Sequence, residues 1–94
     1  MRIIAKKLIK EGELEKAIKL YEELVSLSRL EEGCVFYDLF QDDDNPRILA
    51  VFEEWESKED LKRHQESLHF KKIVPMIGEL TEMKLDMSSY HKVI

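Results

Sequence analysis

Most of the side chains in this chain that could do chemistry fall between residues 53 and 70. The segment reads Glu53-Glu54-Trp55-Glu56-Ser57-Lys58-Glu59-Asp60-Leu61-Lys62-Arg63-His64 and runs into Ser67-Leu68-His69-Phe70. If a strand ends on Glu-x-Trp and a helix follows with His64 on its inner face, a carboxylate, an indole and an imidazole come within reach of one another. An imidazole titrating near neutrality can take a proton from a phenolic hydroxyl. The indole of Trp55 can wall an aromatic pocket, and Glu53 can orient a proton donor or a partner subunit. Each has a plainer reading: a core histidine satisfied by a carbonyl or carboxylate, a tryptophan filling a dimer core, and a glutamate held in an ion pair or hydrogen bond.

Strand neighbours two apart point the same way, so Trp55 shares a face with Glu53 and Val51 while Glu54 points oppositely. Glu53 and Glu54 are therefore not a catalytic carboxylate pair. Tyr37 and Phe36 lie on opposite faces of an earlier strand; Tyr37 can donate a hydrogen bond to a ligand or simply pack. Leu61 and Phe70 complete a candidate substrate-binding set with Trp55, Tyr37 and Val51, while His64 and Glu53 are the candidate catalytic pair. His69 is five residues beyond His64, about 140° round a continuous helix, so the two would not chelate a metal together. His91 has no partner pattern, and nothing basic lies beside Cys34 to activate its thiol. No metal site is expected.

The elements that would position these groups are legible from periodicity. Residues 2–10 read as a strand with Ile3, Ala5 and Ile9 on one face and Ile4 and Leu8 on the other. Arg2, Lys6, Lys7 and Lys10 read as its basic decoration. Leu14, Ala17, Ile18, Tyr21, Leu24, Val25 and Ser28 then recur at helical spacing, with Glu31-Glu32-Gly33 as the expected helix end and Gly33 as its left-handed residue. Residues 34–40 and 48–55 are strands joined through the turn signal Asp42-Asp43-Asp44-Asn45-Pro46. A helix begins at Ser57, capped with Asp60 three residues on, and carries Leu61, His64 and Leu68 inward. Ser67 marks a break or bend. Phe70, Ile73, Val74 and Ile77 form a further stripe that Pro75 interrupts, and Met83, Leu85 and Met87 alternate along a final strand. The methionines read as packing.

This order, β-α-β-β-α-β, is an α+β, ferredoxin-like arrangement with an antiparallel sheet and both helices on one face. The third strand is apolar on both faces, with Ile48, Ala50 and Phe52 against Leu49, Val51 and Trp55. Helices can cover only one of them. A second copy of the sheet is the economical cover, which predicts a homodimeric α+β barrel.

Composition narrows the function classes. Ninety-four residues make one small domain, and a net charge of −5 argues against nucleic acid, which needs a basic face. One cysteine excludes an internal disulfide framework. No apolar run approaches a membrane span and no signal-peptide pattern opens the chain, so a cytoplasmic protein is expected.

Two segments, EEGCVFYDLFQD at residues 31–42 and FEEWESKEDLKRHQESLHFK at residues 52–71, with the short first strand and the closing strand, resemble the antibiotic biosynthesis monooxygenase family. The resemblance covers nearly the whole chain and implies a dimeric α+β barrel. The family includes cofactor-free quinol and anthrone oxygenases, haem-degrading enzymes and an autoinducer-processing branch. Haem-degrading relatives carry an asparagine on the first strand and a histidine ligand late in the second helix. Here the only asparagine is Asn45, in a turn, and Lys71-Lys72-Ile73-Val74 follows Phe70. Anthrone oxidisers carry an asparagine where this chain has Val51. The resemblance therefore implies a quinol-type monooxygenase using O2 and a small phenolic or quinol-like substrate, without a cofactor. The alternatives are an isomerase or binding protein for a small metabolite, and a stress-associated dimer without turnover.

Overall fold

Seven elements succeed one another in the computed structural model, which describes residues 1–94: β1 (Arg2–Ile9), α1 (Leu14–Ser28), β2 (Cys34–Gln41), β3 (Ile48–Trp55), α2 (Lys58–Glu66), α3 (Leu68–Glu79) and β4 (Thr81–Tyr90). The strands form one antiparallel sheet in the order β2-β3-β1-β4, the ferredoxin-like arrangement expected from the sequence. The expected second helix is two helices, α2 and α3. Apolar stripes on α1 and α3 pack on one face of the sheet, where Ile9, Tyr21, Leu24, Tyr37, Leu49, Trp55, Ile73 and Ile77 form the core. The β2–β3 hairpin closes on Asp42, whose carboxylate accepts the backbone N–H groups of Asp44 and Asn45 at 3.0 and 2.8 Å. Its register sets Glu53 across from Tyr37 on one side and from Ile3 of β1 on the other.

Several local expectations give way. α1 stops at Ser28 with Arg29 still right-handed, five residues earlier in the chain than the expected left-handed cap at Gly33. Arg29 instead turns to β2, donating to the Tyr37 carbonyl at 3.0 Å and to Asp38 at 2.7 Å. Gly33 does adopt a positive φ of 82°, but it turns the chain into β2, and a Cβ there would strike the Asp60 carboxylate.

The break at Ser67 is real and sharper than a bend. Ser67 is extended (φ −67°, ψ 154°) and ties both helices: its hydroxyl donates to the His64 carbonyl at 2.6 Å and accepts the Phe70 N–H at 3.3 Å. That extended residue resets the helical phase, so Leu68 is 88% exposed and not inward. Pro75 lies inside α3 without ending it. Met76, Met83 and Met87 are exposed in the protomer, because the packed side of α3 is carried by Ile73 and Ile77 and β4 is a sheet edge.

The other sheet face carries Ile4, Phe36, Phe40, Ala50 and Phe52, with the Phe40 and Phe52 rings 4.9 Å apart. No helix of the protomer covers it. No helix is long and apolar enough to cross a membrane.

Candidate active site

His64 stands in the last turn of α2, almost fully buried, with its Nδ1 2.5 Å from Glu31 Oε2. An ionised carboxylate only accepts, so the Nδ1 proton faces Glu31 and a neutral ring keeps its lone pair on Nε2. Nε2 is buried and has no hydrogen-bond partner. The ring is fixed from three sides. Trp55 lies against it at 4.6 Å, tilted by 31°, while Tyr37 and Phe70 meet it edge-on at 5.3 and 5.0 Å. Burial pushes the imidazole below its ordinary range, against the Glu31 carboxylate, which favours the imidazolium.

Glu53, one strand pair away from Ile3, is buried and accepts the Trp55 indole N–H on Oε1 at 2.8 Å. Burial raises its carboxyl to about 7; the indole hydrogen bond pulls the other way and the Glu31 charge adds to the rise. Near neutrality this carboxyl can both hold and release a proton. Tyr37 is raised, chiefly by burial and then by Glu53, and stays a neutral phenol. The Cys34 thiol is pushed up to about 11 by burial and then by Glu31 and Glu53, so it is no nucleophile at neutral pH.

A cavity of about 530 Å³ opens between the sheet and the helices, with 11 hydrophobic residues among the 18 that line it. Of the residues singled out in the sequence, Glu53, His64, Tyr37, Val51 and Phe70 line it together. Trp55 and Leu61 do not. Trp55 is buried behind His64, with its ring against the imidazole and its indole N–H on Glu53. Leu61 packs, half-buried, against the core.

Sequence reasoning missed Glu31, read as a helix end, and Lys7, read as strand decoration although it lines the cavity. Only the unusual turn at Gly33 hinted that the preceding acids leave the helix. His69 also departs from expectation. The break at Ser67 swings its Nε2 to 3.3 Å from Glu31 Oε2 and 3.2 Å from Ser67 Oγ. Glu31, His64 and His69 thus offer three ligand atoms within 4.8 Å of one another. Glu31 hydrogen-bonds His64 at 2.5 Å, and His69 stands beside that pair with its own hydrogen bond to Ser67.

This geometry has relatives. The family model described as antibiotic biosynthesis monooxygenase matches residues 1–76. The chain belongs to the antibiotic biosynthesis monooxygenase family. A crystal structure of an antibiotic biosynthesis monooxygenase superposes with a TM-score of 0.93 at 31% identity, covering 99% of this chain and 98% of the other. A conserved protein from Methanosarcina mazei Go1 gives 0.94 at 33% identity, covering 98% and 91%. YcnE of Bacillus subtilis (strain 168), provisionally named a monooxygenase, is 32% identical over 79 residues, 84% of this chain and 83% of its own length. Membership in the monooxygenase family gives the cavity its chemical frame, a monooxygenase-like function on a small molecule.

Proposed function

We propose that the protein is a monooxygenase that oxidises a small quinol or phenol with O2, using electrons supplied by the substrate. One observation carries the reading: a buried imidazole on a mostly apolar cavity, fixed by a carboxylate on Nδ1 and left without a partner on Nε2. A buried polar atom with no partner calls for an explanation, and a ligand hydroxyl supplies one. His64 Nε2 takes the phenolic proton, while Glu31 orients the ring and steadies the imidazolium. The quinol anion passes one electron to O2, and the resulting radical and superoxide combine to a ring hydroperoxide. Loss of the ring C–H proton and cleavage of the O–O bond then give a hydroxyquinone and water. Glu53, with its raised carboxyl, protonates the departing hydroxide. One oxygen atom enters the product and the other leaves as water, so four electrons pass from quinol to O2. Val51, Tyr37 and Phe70 hold the aromatic ring and exclude water.

The reading includes a cytoplasmic homodimer closed through the Ile4, Phe36, Phe40 and Phe52 face, as the exposed aromatic surface supports. A second reading, isomerisation of a small metabolite, draws support from the convergence of Glu53, His64 and Tyr37 on the cavity.

Oxygen uptake with reduced naphthoquinols and benzoquinols, corrected for autoxidation, tests the first reading. His64→Ala should lower the enzymatic rate ~10²–10⁴-fold. Glu31→Gln should lower it less and move the acid limb of the pH profile downward, because the imidazolium loses its counter-charge. Uptake no faster than the enzyme-free rate across the panel would transfer the weight to isomerisation.

A further inference from the structure

The rim of the cavity carries a pair of lysines that make no ion pair, although Asp86 and Glu53 line the same cavity. Lys7 of β1 and Lys84 of β4 are direct partners across the ladder, and both line the cavity. Their juxtaposition is made by a bulge. The β1–β4 register shifts between Lys6, opposite Asp86, and Lys7, opposite Lys84, leaving Leu85 as the extra residue. Without that shift Leu85 would oppose Lys7, and Lys84 would fall opposite Leu8 on the other sheet face. Bulges beside functional sites serve to re-aim side chains in this way.

Like charges placed directly opposite across a ladder oppose folding, and this pair has no internal relief. Neither lysine makes an ion pair. The nearby Asp86 carboxylate is engaged by the Ser88 hydroxyl at 3.0 and 3.2 Å, and Glu82 pairs with Arg47 at 3.3 Å. Lys7 is half-buried, and burial with the Lys84 charge pushes its ammonium below the ordinary lysine range. A fixed anion between the two ammonium groups would reverse that penalty. The opposite region of the same cavity is apolar and aromatic and holds His64.

We propose that Lys7 and Lys84 form an anion subsite, so that the ligand is an aromatic hydroxyl compound carrying a carboxylate or a phosphate. This deepens the proposed function and rests on the same cavity being the substrate site. The ring lies against Val51, Tyr37 and Phe70, its hydroxyl meets His64, and its anionic substituent reaches the β1–β4 rim.

Calorimetric titration with 2-naphthol, 6-hydroxy-2-naphthoate and 2-naphthyl phosphate tests the subsite without turnover. At low salt at least one anion should bind ten-fold or more tightly than 2-naphthol, and raising the salt should erode the advantage. The stronger anion identifies the substituent. Lys84→Glu should bring the ligands to parity while raising the unfolding temperature, since a glutamate opposite Lys7 supplies the missing counter-charge. Lys7→Gln should lose the anion preference as well. Anions that bind no better than 2-naphthol, or an advantage that survives both substitutions, would overturn the proposal. A carboxylated naphthoquinol that binds with this preference yet consumes no oxygen would sink the oxygenase reading and leave the subsite standing.

Discussion

The two groups proposed to handle protons have been moved toward each other by the same cause. Burial lowers the imidazole of His64 and raises the carboxyl of Glu53 to about 7, so a basic nitrogen and an acidic carboxyl can coexist near neutral pH. The rate should therefore follow a bell, falling on the acid side as His64 gains a proton and on the alkaline side as Glu53 loses one. Stability should carry the signature of Glu53 independently. Its folded value lies above its ordinary 4.5, so between those pH values the native state keeps a proton that the unfolded chain has released. The contribution opposes folding increasingly as pH rises through that window and is constant above it. Glu53→Gln, which can still accept the Trp55 N–H, should stabilise the protein at pH 8 by on the order of 3 kcal/mol and have little effect at pH 4. Denaturant unfolding of both proteins at the two pH values checks this; an equal effect at both would show that folding does not raise this carboxyl.

At the scale of elements, the site depends on two short departures from regular structure: the left-handed Gly33 and the extended Ser67. Both glycines have positive φ, so each alanine costs about 1–2 kcal/mol for a Cβ in left-handed backbone, and Gly33→Ala should cost more than Gly12→Ala on top of that. The Gly12 position opens onto free space, whereas a Cβ on Gly33 meets the Asp60 carboxylate that bonds Ser57 and Arg63 at the start of α2. Paired unfolding curves would decide it, with equal costs refuting the steric argument. These same joints explain what could be read in advance. Periodicity located every strand, and the cavity residues Glu53, Val51, Tyr37, His64 and Phe70 followed from strand alternation and two helical stripes. Glu31 and His69 did not follow, because their directions are set by single non-repeating residues that carry no period. Trp55 was placed on the right face, but nothing in a one-strand pattern says whether a ring stands before or behind the histidine it touches. Lys84 was invisible for a related reason: alternation assumes an unbroken register.

For the whole molecule, the open question of the outer sheet face has a direct measurement. Phe52→Glu puts a charge at the centre of the Ile4, Phe36 and Phe40 patch, away from the core side. The wild type should run as a dimer by light scattering and the variant should shift to monomer at micromolar concentration; a wild type that is monomeric throughout would rule the paired-sheet barrel out. The family-model match ends at residue 76, ahead of β4, so the proton-handling groups and the bulged strand fall in different portions of the chain. That separation has an evolutionary reading. A strand works as a frame of two, and one residue gained or lost near position 85 exchanges which of the preceding side chains look into the cavity. Ligand charge preference could thus change by a single-codon insertion or deletion at the sheet edge, with His64, Glu31 and Glu53 untouched.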